Sequence, residues 1–356
     1  MRKYHTIIVG AGPGGLACAT LLARADREVL LLERNLTIGP KVCAGGVTWS
    51  GLKQRLPESL LQRTFPDQYL TTRLQRTVIS AAQPLVSTVN RHELGQWQLQ
   101  EALAAGVRVR TGALVGRIGA SSLEIRGEEI AFTHLVGADG SSSVVRQHLG
   151  LATKEVGVGL NLFVEGDFPR MEWHLDDRFF NNGYAWIFPH RGRASIGAYA
   201  PRYCMRPAEL RKNFLLWASK HGITPSGDEF RTSRQAAQLS FNPGSAKLNA
   251  GLINYDYQGW RFDNHFLVGD AAGLASALTG EGIFPAIVSG EEVARAILDP
   301  GYQAPILTRL LARHRRHRQI VRLTGANRLG CRLTMEAMVL GLRTGLVSFS
   351  ALEMAS

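Results

Sequence analysis

Three glycines near the amino terminus are spaced to hold a phosphate group. Gly10, Gly12 and Gly15 form the pattern GxGxxG in GAGPGG, between the β-branched run HTIIVG and an apolar helical pattern. The first glycine permits a tight turn, the second lets the backbone approach pyrophosphate, and the third lets helix and strand pack closely. The helix N-terminus offers amide donors to the phosphate. The pattern predicts a dinucleotide site, to which we also assign Gly14.

An acidic residue stands where this kind of site contacts ribose. Glu33 ends the second apolar strand, in REVLLLER, at the spacing from which a carboxylate accepts a hydrogen bond from a ribose hydroxyl. The carboxylate favours an adenosine ribose without a 2′-phosphate, although Arg34 beside it leaves this choice open. The alternative, a glycine-rich turn without a ligand, is disfavoured by the strand, helix and acid around it.

The segment KVCAGGVT, residues 41–48, places a thiol just before two adjacent glycines. Gly45 and Gly46 give the backbone freedom to pass close to another group. Cys43 is a candidate for proton or redox chemistry and equally a small residue on a bent loop, because thiolate character depends on the surroundings.

Three further features, taken in order after GxGxxG, resemble the motifs of a known superfamily. GxGxxG, then Arg91, then GADGSSSVVR (137–146) with Asp139, then LVGDAAG (267–273) with Asp270 are similar to the motifs of the FAD-dependent hydroxylase superfamily. This resemblance implies a Rossmann-like α/β FAD-binding domain with an inserted antiparallel β-sheet substrate domain and a helical C-terminus. Only one GxGxxG is present, so FAD would be reduced by NAD(P)H, ferredoxin or another external donor.

A glycine-rich entry to a helix follows the last motif. In LTGEGIFPAIVSG, Gly280 and Gly282 precede a helix that carries Pro285 in its first turn, where a missing N–H costs little. Its N-terminus is suited to stabilise negative charge on a reduced flavin; alternatively, the glycines serve packing. The cofactor-binding residues implied are Gly10, Gly12, Gly14, Gly15, Glu33, Arg34, Ala44, Gly45, Gly46, Arg91, Val115, Asp139, Gly269, Asp270, Gly280, Gly282 and Ile283.

The strand GYAWIFPH, residues 183–190, resembles the YxWxFPK-type strand of geranylgeranyl reductases, which saturate isoprenoid double bonds with reduced FAD. That family also has a Cys-Gly-Gly-like loop, which Cys43–Gly46 resembles with an alanine inserted. Tyr184, Trp186 and Phe188 alternate, so they share one face of the strand. They either line a cavity for an apolar substrate or pack on the core.

The second resemblance implies a reaction. Hydride from reduced FAD would be added to a C=C bond of a hydrophobic, isoprenoid-like lipid, with Cys43 as the catalytic candidate. The alternative on the same fold is an FAD-dependent monooxygenase, hydroxylase-like or halogenase-like, acting on a hydrophobic or aromatic substrate. His190 stands where the family commonly has lysine, and we expect an exposed histidine there rather than a titratable donor.

Length and composition indicate the domain organisation and the kind of protein. The chain of 356 residues is 45% hydrophobic and 20% charged, which is typical of a soluble protein. We predict an FAD-binding domain from residues 1–80, 90–155 and 260–300, a β-rich substrate domain at 156–259 and a helical region at 301–356. The second domain should have one packed and one open sheet face. The four cysteines have neither disulfide-framework nor metal-site spacing.

The net charge of +12 and a pI near 10 favour anionic partners. The basic helical stretch LTRLLARHRRHRQIVRLTGANRLG and the apolar MEAMVLGLRTGLVSF after it either lie on an anionic membrane or cover the second domain with a solvated face. We expect no nucleic-acid partner, since no binding module accompanies the charge. Because we find no signal peptide or long apolar run, we expect a cytoplasmic protein, peripheral to the membrane if it binds one.

Overall fold

The computed structural model describes residues 2–52, 55–223, 248–325 and 327–355. The strands are β1 (Lys3–Val9), β2 (Val29–Leu32), β3 (Gly46–Thr48), β4 (Leu61–Phe65), β5 (Asp67–Thr72), β6 (Arg76–Ser80), β7 (Val86–Val89), β8 (Arg108–Arg110), β9 (Val115–Ile118), β10 (Ser122–Ile125), β11 (Glu128–Gly137), β12 (Val156–Glu165), β13 (Glu172–Leu175), β14 (Tyr184–Pro189), β15 (Arg193–Pro201), β16 (Asn249–Asn254), β17 (Arg261–Phe262) and β18 (His265–Leu267). The helices are α1 (Pro13–Arg24), α2 (Trp49–Leu52), α3 (Arg91–Ala104), α4 (Val144–His148), α5 (Asp177–Phe180), α6 (Pro207–Lys220), α7 (Gly269–Ala272), α8 (Ile283–Leu298), α9 (Pro305–Thr324) and α10 (Arg328–Thr344).

The first sheet is a Rossmann-like sheet in the order β17-β18-β11-β1-β2-β8, with β9 and β10 attached to β11. Strands β18, β11, β1, β2 and β8 run parallel to one another. Helices α1, α3 and α8 cover it, and α1 crosses α8 so closely that a Cβ on Gly290 would overlap the carbonyl of Gly14. The predicted α/β FAD-binding fold is confirmed.

Four parallel strands end at the same level of this sheet. Val9 is in register with Leu32 on one side and with Gly137 on the other, and Gly137 is in register with Leu267. The predicted motif loops therefore all leave the sheet at one edge, where α/β folds of this kind bind their ligands.

The second sheet is mostly antiparallel, in the order β16-β12-β15-β14-β13-β5-β6. Our expectation of one open face is wrong for β14, whose residues are all buried. One face packs on α6, and the other is covered by Phe65 of β4, Val86 of β7, the loop at Ala44 and Phe349. Strands β3, β7 and β4 form a separate small sheet. Residues 67–80, which we had assigned to the FAD-binding domain, form β5 and β6 of this sheet because β5 pairs with β13. Residues 224–247 of the predicted substrate domain lie outside the described residues.

The basic C-terminal stretch and the apolar stretch after it form two helices, α9 and α10, which differ in their exposed charge and in what they pack against. On α9, His314 and His317 are buried, and burial lowers the pKa of each to about 4, so the outward charge comes from arginines. Helix α10 packs on β5 and β6 through Val339 and Leu342. None of the helices in the described part of the chain is long and apolar enough to cross a membrane.

Candidate active site

Gly12 differs from the other glycines of the first loop. A Cβ added to Gly10 or Gly15 would overlap the backbone of Ala138 or of Gly10, and one added to Gly14 would lie 2.7 Å from the carbonyl oxygen of Ala286. These three glycines are therefore needed for packing. A Cβ on Gly12 would meet nothing nearer than 3.8 Å, so the space beside Gly12 is open at the N-terminus of α1. An open approach at this position fits a pyrophosphate.

Glu33 lies at the carboxyl end of β2 and contacts the glycine loop. Its Oε2 accepts a hydrogen bond from Ala11 N at 2.9 Å, and its Oε1 accepts from Asn35 N and Nδ2. The carboxylate is thus fixed beside the loop that would hold the phosphates. Arg34 next to it is exposed.

The buried polar atoms that lack a hydrogen-bond partner within the described residues include atoms of two predicted cofactor residues. The Nε and Nη1 atoms of Arg91, at the start of α3, and Oδ1 of Asp139, after β11, form no hydrogen bond there. Oδ2 of Asp139 accepts from Val144 N at 2.7 Å, while burial raises the pKa of this carboxyl group. Because buried polar groups are normally paired, these atoms fit a polar ligand.

Asp270 brings the remaining motifs together. Its Oδ2 accepts a hydrogen bond from Ser141 Oγ at 3.0 Å and forms an ion pair with Lys41 Nζ at 3.3 Å. A Cβ on Gly282 would lie 3.2 Å from Asp270 Oδ1, so the loop before α8 passes directly over this carboxylate. The strand ends, the Cys43 loop and the N-terminus of α8 therefore border one site.

These features together fit FAD. Gly12 leaves room for the pyrophosphate, Glu33 stands at the ribose position, and Arg91 and Asp139 offer unpaired polar atoms. Gly269 and Gly280 have positive φ angles of 54° and 67°, which glycine adopts freely. Of the other predicted cofactor residues, Val115 and Ile283 lie in the hydrophobic core of the first domain, and Ile283 is the first residue of α8.

The Cys43–Gly46 loop lies directly on β14. A Cβ on Gly46 would lie 2.7 Å from the ring of Phe188, and one on Gly45 would lie 2.7 Å from the ring of His190. Gly45 also has a φ of 77°. Both glycines are therefore required by the approach of the loop to the strand. The two segments that resemble geranylgeranyl reductases are thus in contact.

The expectation that His190 is exposed is wrong. Its side chain is buried, Nε2 lies 3.0 Å from the carbonyl oxygen of Ala44, and Nδ1 has no partner within the described residues. Burial lowers the pKa of His190, so the neutral ring donates its Nε2 hydrogen to Ala44. His190 therefore positions the loop.

Tyr184, Trp186 and Phe188 share one face of β14, as their alternation predicts. They pack with Trp173, Tyr199, Phe65 and Met171, and the rings of Trp173 and Phe188 are 4.7 Å apart. Gly197 stands opposite Trp186 and leaves room for the indole. We call this group the aromatic cluster. It lies against Ala44 and so borders the Cys43 loop.

Cys43 is partly buried at the start of this loop. Its Sγ accepts a long hydrogen bond from Gly45 N at 3.4 Å, and its carbonyl oxygen accepts one from Asn161 Nδ2 at 2.7 Å. The backbone of Cys43 is thereby tied to β12 of the second sheet.

Glu281 is a residue that the sequence analysis missed. Its Oε1 accepts from Thr48 Oγ1 at 3.0 Å and its Oε2 from Met354 N at 3.1 Å. Burial raises the pKa of Glu281 to about 7; the two hydrogen bonds oppose this effect, and the nearby carboxylate of Glu353 adds to it. A titratable acid between the glycines of TGEGIF was the available signal, since carboxyl groups with such pKa values are suited to proton transfer.

The comparisons with known proteins agree with this architecture. A family model described as an NAD(P)-binding Rossmann-like domain matches residues 8–43. The chain is 29% identical over 346 residues to digeranylgeranylglycerophospholipid reductase 2 of Methanothermobacter thermautotrophicus, covering 88% of this chain and 84% of that protein. It is 28% identical over 327 residues to geranylgeranyl diphosphate reductase of Rhodobacter capsulatus, covering 85% and 78%.

A solved structure shares the whole fold. The geranylgeranyl bacteriochlorophyll reductase-like protein of Thermoplasma acidophilum superposes with a TM-score of 0.79 at 20% identity, covering 99% of this chain and 96% of that one. This likeness extends through both sheets and the C-terminal helices. This likeness shows that the fold is shared. With the relatives that match along most of the sequence and the Rossmann-like family model, the chain is an FAD-dependent oxidoreductase that is similar to the geranylgeranyl reductases.

Proposed function

We propose that this protein reduces a C=C bond of an isoprenoid-like lipid. The observation that carries the proposal is the contact between the Cys43–Gly46 loop and the aromatic cluster, which sets an apolar wall beside the site that fits FAD. The two relatives described above are, by their names, reductases of geranylgeranyl compounds that carry different head groups, a glycerophospholipid and a diphosphate. The common element is the prenyl chain, and an aromatic wall suits such a chain better than a charged head group.

The aromatic cluster, Glu281 and Cys43 have separate roles in this reaction. FAD, when bound and reduced by an external donor, supplies the hydride. The aromatic cluster holds the alkene and excludes water. Glu281 holds the proton for the second alkene carbon, and its carboxyl group is anchored by Thr48 and Met354. Cys43, at the start of the Cys43–Gly46 loop, is the second candidate for a proton source.

We also propose that the protein meets its substrate at an anionic membrane as a peripheral protein. The net charge of +12 supports this, because basic surfaces are attracted to anionic leaflets. The finding that no described helix could cross a bilayer is compatible with it. The electron donor is an external reductant of the nicotinamide or ferredoxin class.

The proposal is tested by incubating the FAD-loaded, dithionite-reduced protein anaerobically with geranylgeranyl lipids and with menaquinone extracts. The expected product is a prenyl chain heavier by two hydrogen atoms for each bond reduced, seen by mass spectrometry. The control is the same protein without dithionite. A parallel incubation with an enzymatic FAD reductant in air tests the alternative: no conversion under anaerobic conditions, together with oxygen uptake in proportion to substrate in air, would overturn the proposal in favour of a monooxygenase.

A further inference from the structure

One side of helix α10 exposes a row of leucines to solvent. Leu329, Leu333 and Leu340 are spaced by four and seven residues, so they lie on one helix face, and all three are exposed. Leu323 at the end of α9 and Leu346 just after α10 extend the apolar residues at the two ends. An exposed apolar patch of this kind marks an interaction site on a soluble domain.

A hairpin tip adds to the same surface. Leu74, between β5 and β6, is 74% exposed, and its backbone N donates to Glu336 Oε1 of α10 at 3.0 Å. Thr72 Oγ1 and Gln75 Nε2 donate to Glu336 Oε2 at 2.7 and 2.8 Å. Glu336 is the only acidic residue in the sequence of α10, so the hairpin holds Leu74 beside the helix and satisfies its one carboxylate.

Exposed arginines lie around these leucines, while the nearby carboxylates of Glu155, Asp177 and Glu336 are paired. Arg73 is exposed next to Leu74, Arg328 is exposed at the start of α10 and Arg343 near its end. Arg322, beside Leu323, is 62% exposed although it pairs with Glu155. We define the α10 surface as Leu74, Leu323, Leu329, Leu333, Leu340 and Leu346 with Arg73, Arg322, Arg328 and Arg343.

The opposite side of α10 is connected to the candidate active site by apolar contacts. Val339 and Leu342 pack with Leu70, and Trp173 and Phe349 contact this group. Trp173 is also part of the aromatic cluster around β14, and Phe349 packs against that cluster. The α10 surface is therefore separated from the aromatic cluster by one layer of apolar side chains.

We propose that the α10 surface is the part of this protein that inserts into the headgroup region of an anionic bilayer. Leucines on one helix face with arginines around them are typical of helices that lie in the membrane interface. A second copy of the chain is the less suitable occupant, because two such surfaces would bring their arginines together. This inference gives the location of the membrane contact within the proposed function, and its test measures binding without turnover.

The test is cosedimentation of the FAD-loaded protein with vesicles of phosphatidylcholine alone or with one third phosphatidylglycerol. We expect the protein to bind the anionic vesicles and Leu333→Asp/Leu340→Asp to bind them at least about tenfold more weakly. The matched control is Leu36→Asp/Leu114→Asp, which changes two leucines of the first domain that are 82% and 66% exposed, more than the 60% and 47% of Leu333 and Leu340. It should bind as the unchanged protein does.

A second pair separates the location of the charge from its amount. Arg328→Gln/Arg343→Gln should weaken binding about tenfold or more, since each basic residue at an anionic surface contributes roughly fivefold. Arg309→Gln/Arg316→Gln removes the same charge from the exposed face of α9 and should weaken it less. FAD absorbance and the unfolding midpoint establish that each variant is folded.

Three results would overturn the inference. The first is equal binding to both vesicle types by the unchanged protein. The second is equal binding by the leucine variants of α10 and of the first domain. The third is a dimer in sedimentation velocity that Leu333→Asp/Leu340→Asp converts to a monomer, because the surface would then be an interface between copies. Alkene reduction that fails while vesicle binding follows the expected pattern would instead count against the proposed reaction alone.

Discussion

The two ends of the candidate active site use glycine in opposite ways. At the nucleotide end, Gly10, Gly14 and Gly15 serve backbone packing, and Gly12 leaves open space for a ligand. At the substrate end, the room made by Gly45 and Gly46 is taken by the rings of His190 and Phe188. The nucleotide end is therefore specified by backbone shape. The substrate end depends on side chains, so substitutions at the two ends should have different consequences.

The largest effect on FAD binding without a loss of stability is expected at Gly12. A Cβ there meets no protein atom nearer than 3.8 Å, and the extended backbone of Gly12, with φ −74° and ψ 175°, accepts alanine. Gly12→Ala should therefore fold with stability within about 0.5 kcal/mol of the unchanged protein, yet lose FAD, because the Cβ would occupy the pyrophosphate position. The measurement is flavin absorbance per protein together with urea unfolding.

Gly15→Ala is the matched variant in the same loop. Its Cβ would overlap the carbonyl of Gly10, so we expect it to lose about 1–3 kcal/mol of unfolding free energy as well as FAD. Full FAD occupancy in Gly12→Ala would show that the cofactor does not approach the loop at this glycine.

The next largest effect is expected at Trp186 on the substrate side. Its buried indole packs on Gly197 and donates from Nε1 to Ser195 Oγ at 3.1 Å. Trp186→Ala should lower the free energy of unfolding by about 3–5 kcal/mol, because it leaves a large cavity. FAD should stay bound, since the indole packs on Gly197 and against the rings of Tyr184 and Phe188.

Trp186→Phe is the control for Trp186→Ala, because it keeps an aromatic surface while removing the indole N–H. It should recover most of the stability and of the alkene reduction. Unchanged turnover and substrate affinity in Trp186→Ala would contradict the assignment of the aromatic cluster to the substrate.

The sequence predicted the nucleotide end better than the substrate end, for a physical reason. GxGxxG, Glu33, Asp139 and Asp270 follow parallel strands directly, so local pattern and strand direction were enough to bring them to one edge. At the other end the environment of each side chain depends on distant segments. The burial of His190 comes from the Cys43 loop, more than 140 residues earlier in the chain.

The assignment of β5 and β6 failed for a similar reason. These strands lie between two parts of the first domain in the sequence, and only the pairing of β5 with β13, about 100 residues later, puts them in the second sheet. Nothing local in DQYLTT distinguishes the two sheets.

The smallest expected effect is a pH dependence of the rate of alkene reduction, which we assign to Glu281. Its pKa of about 7 means that the carboxyl group is mostly protonated at pH 6 and mostly ionised at pH 8. If the protonated carboxyl group supplies the proton, alkene reduction by the FAD-loaded, prereduced protein should be about tenfold faster at pH 6 than at pH 8. Glu281→Gln should be slower at pH 6 and should lose this decline.

Glu353→Gln separates proton supply by Glu281 from a general effect of pH on the protein. The Glu353 carboxylate raises the pKa of Glu281 by charge repulsion, so its removal should shift the descending limb of the rate profile to lower pH without abolishing it. A decline that persists unchanged in Glu281→Gln would assign the proton to another group, and Cys43 would then be the candidate to substitute with serine. Glu281 and Cys43 both lie near Tyr184 of the aromatic cluster, so either acid would act at the substrate end, where side chains rather than backbone shape determine the local environment.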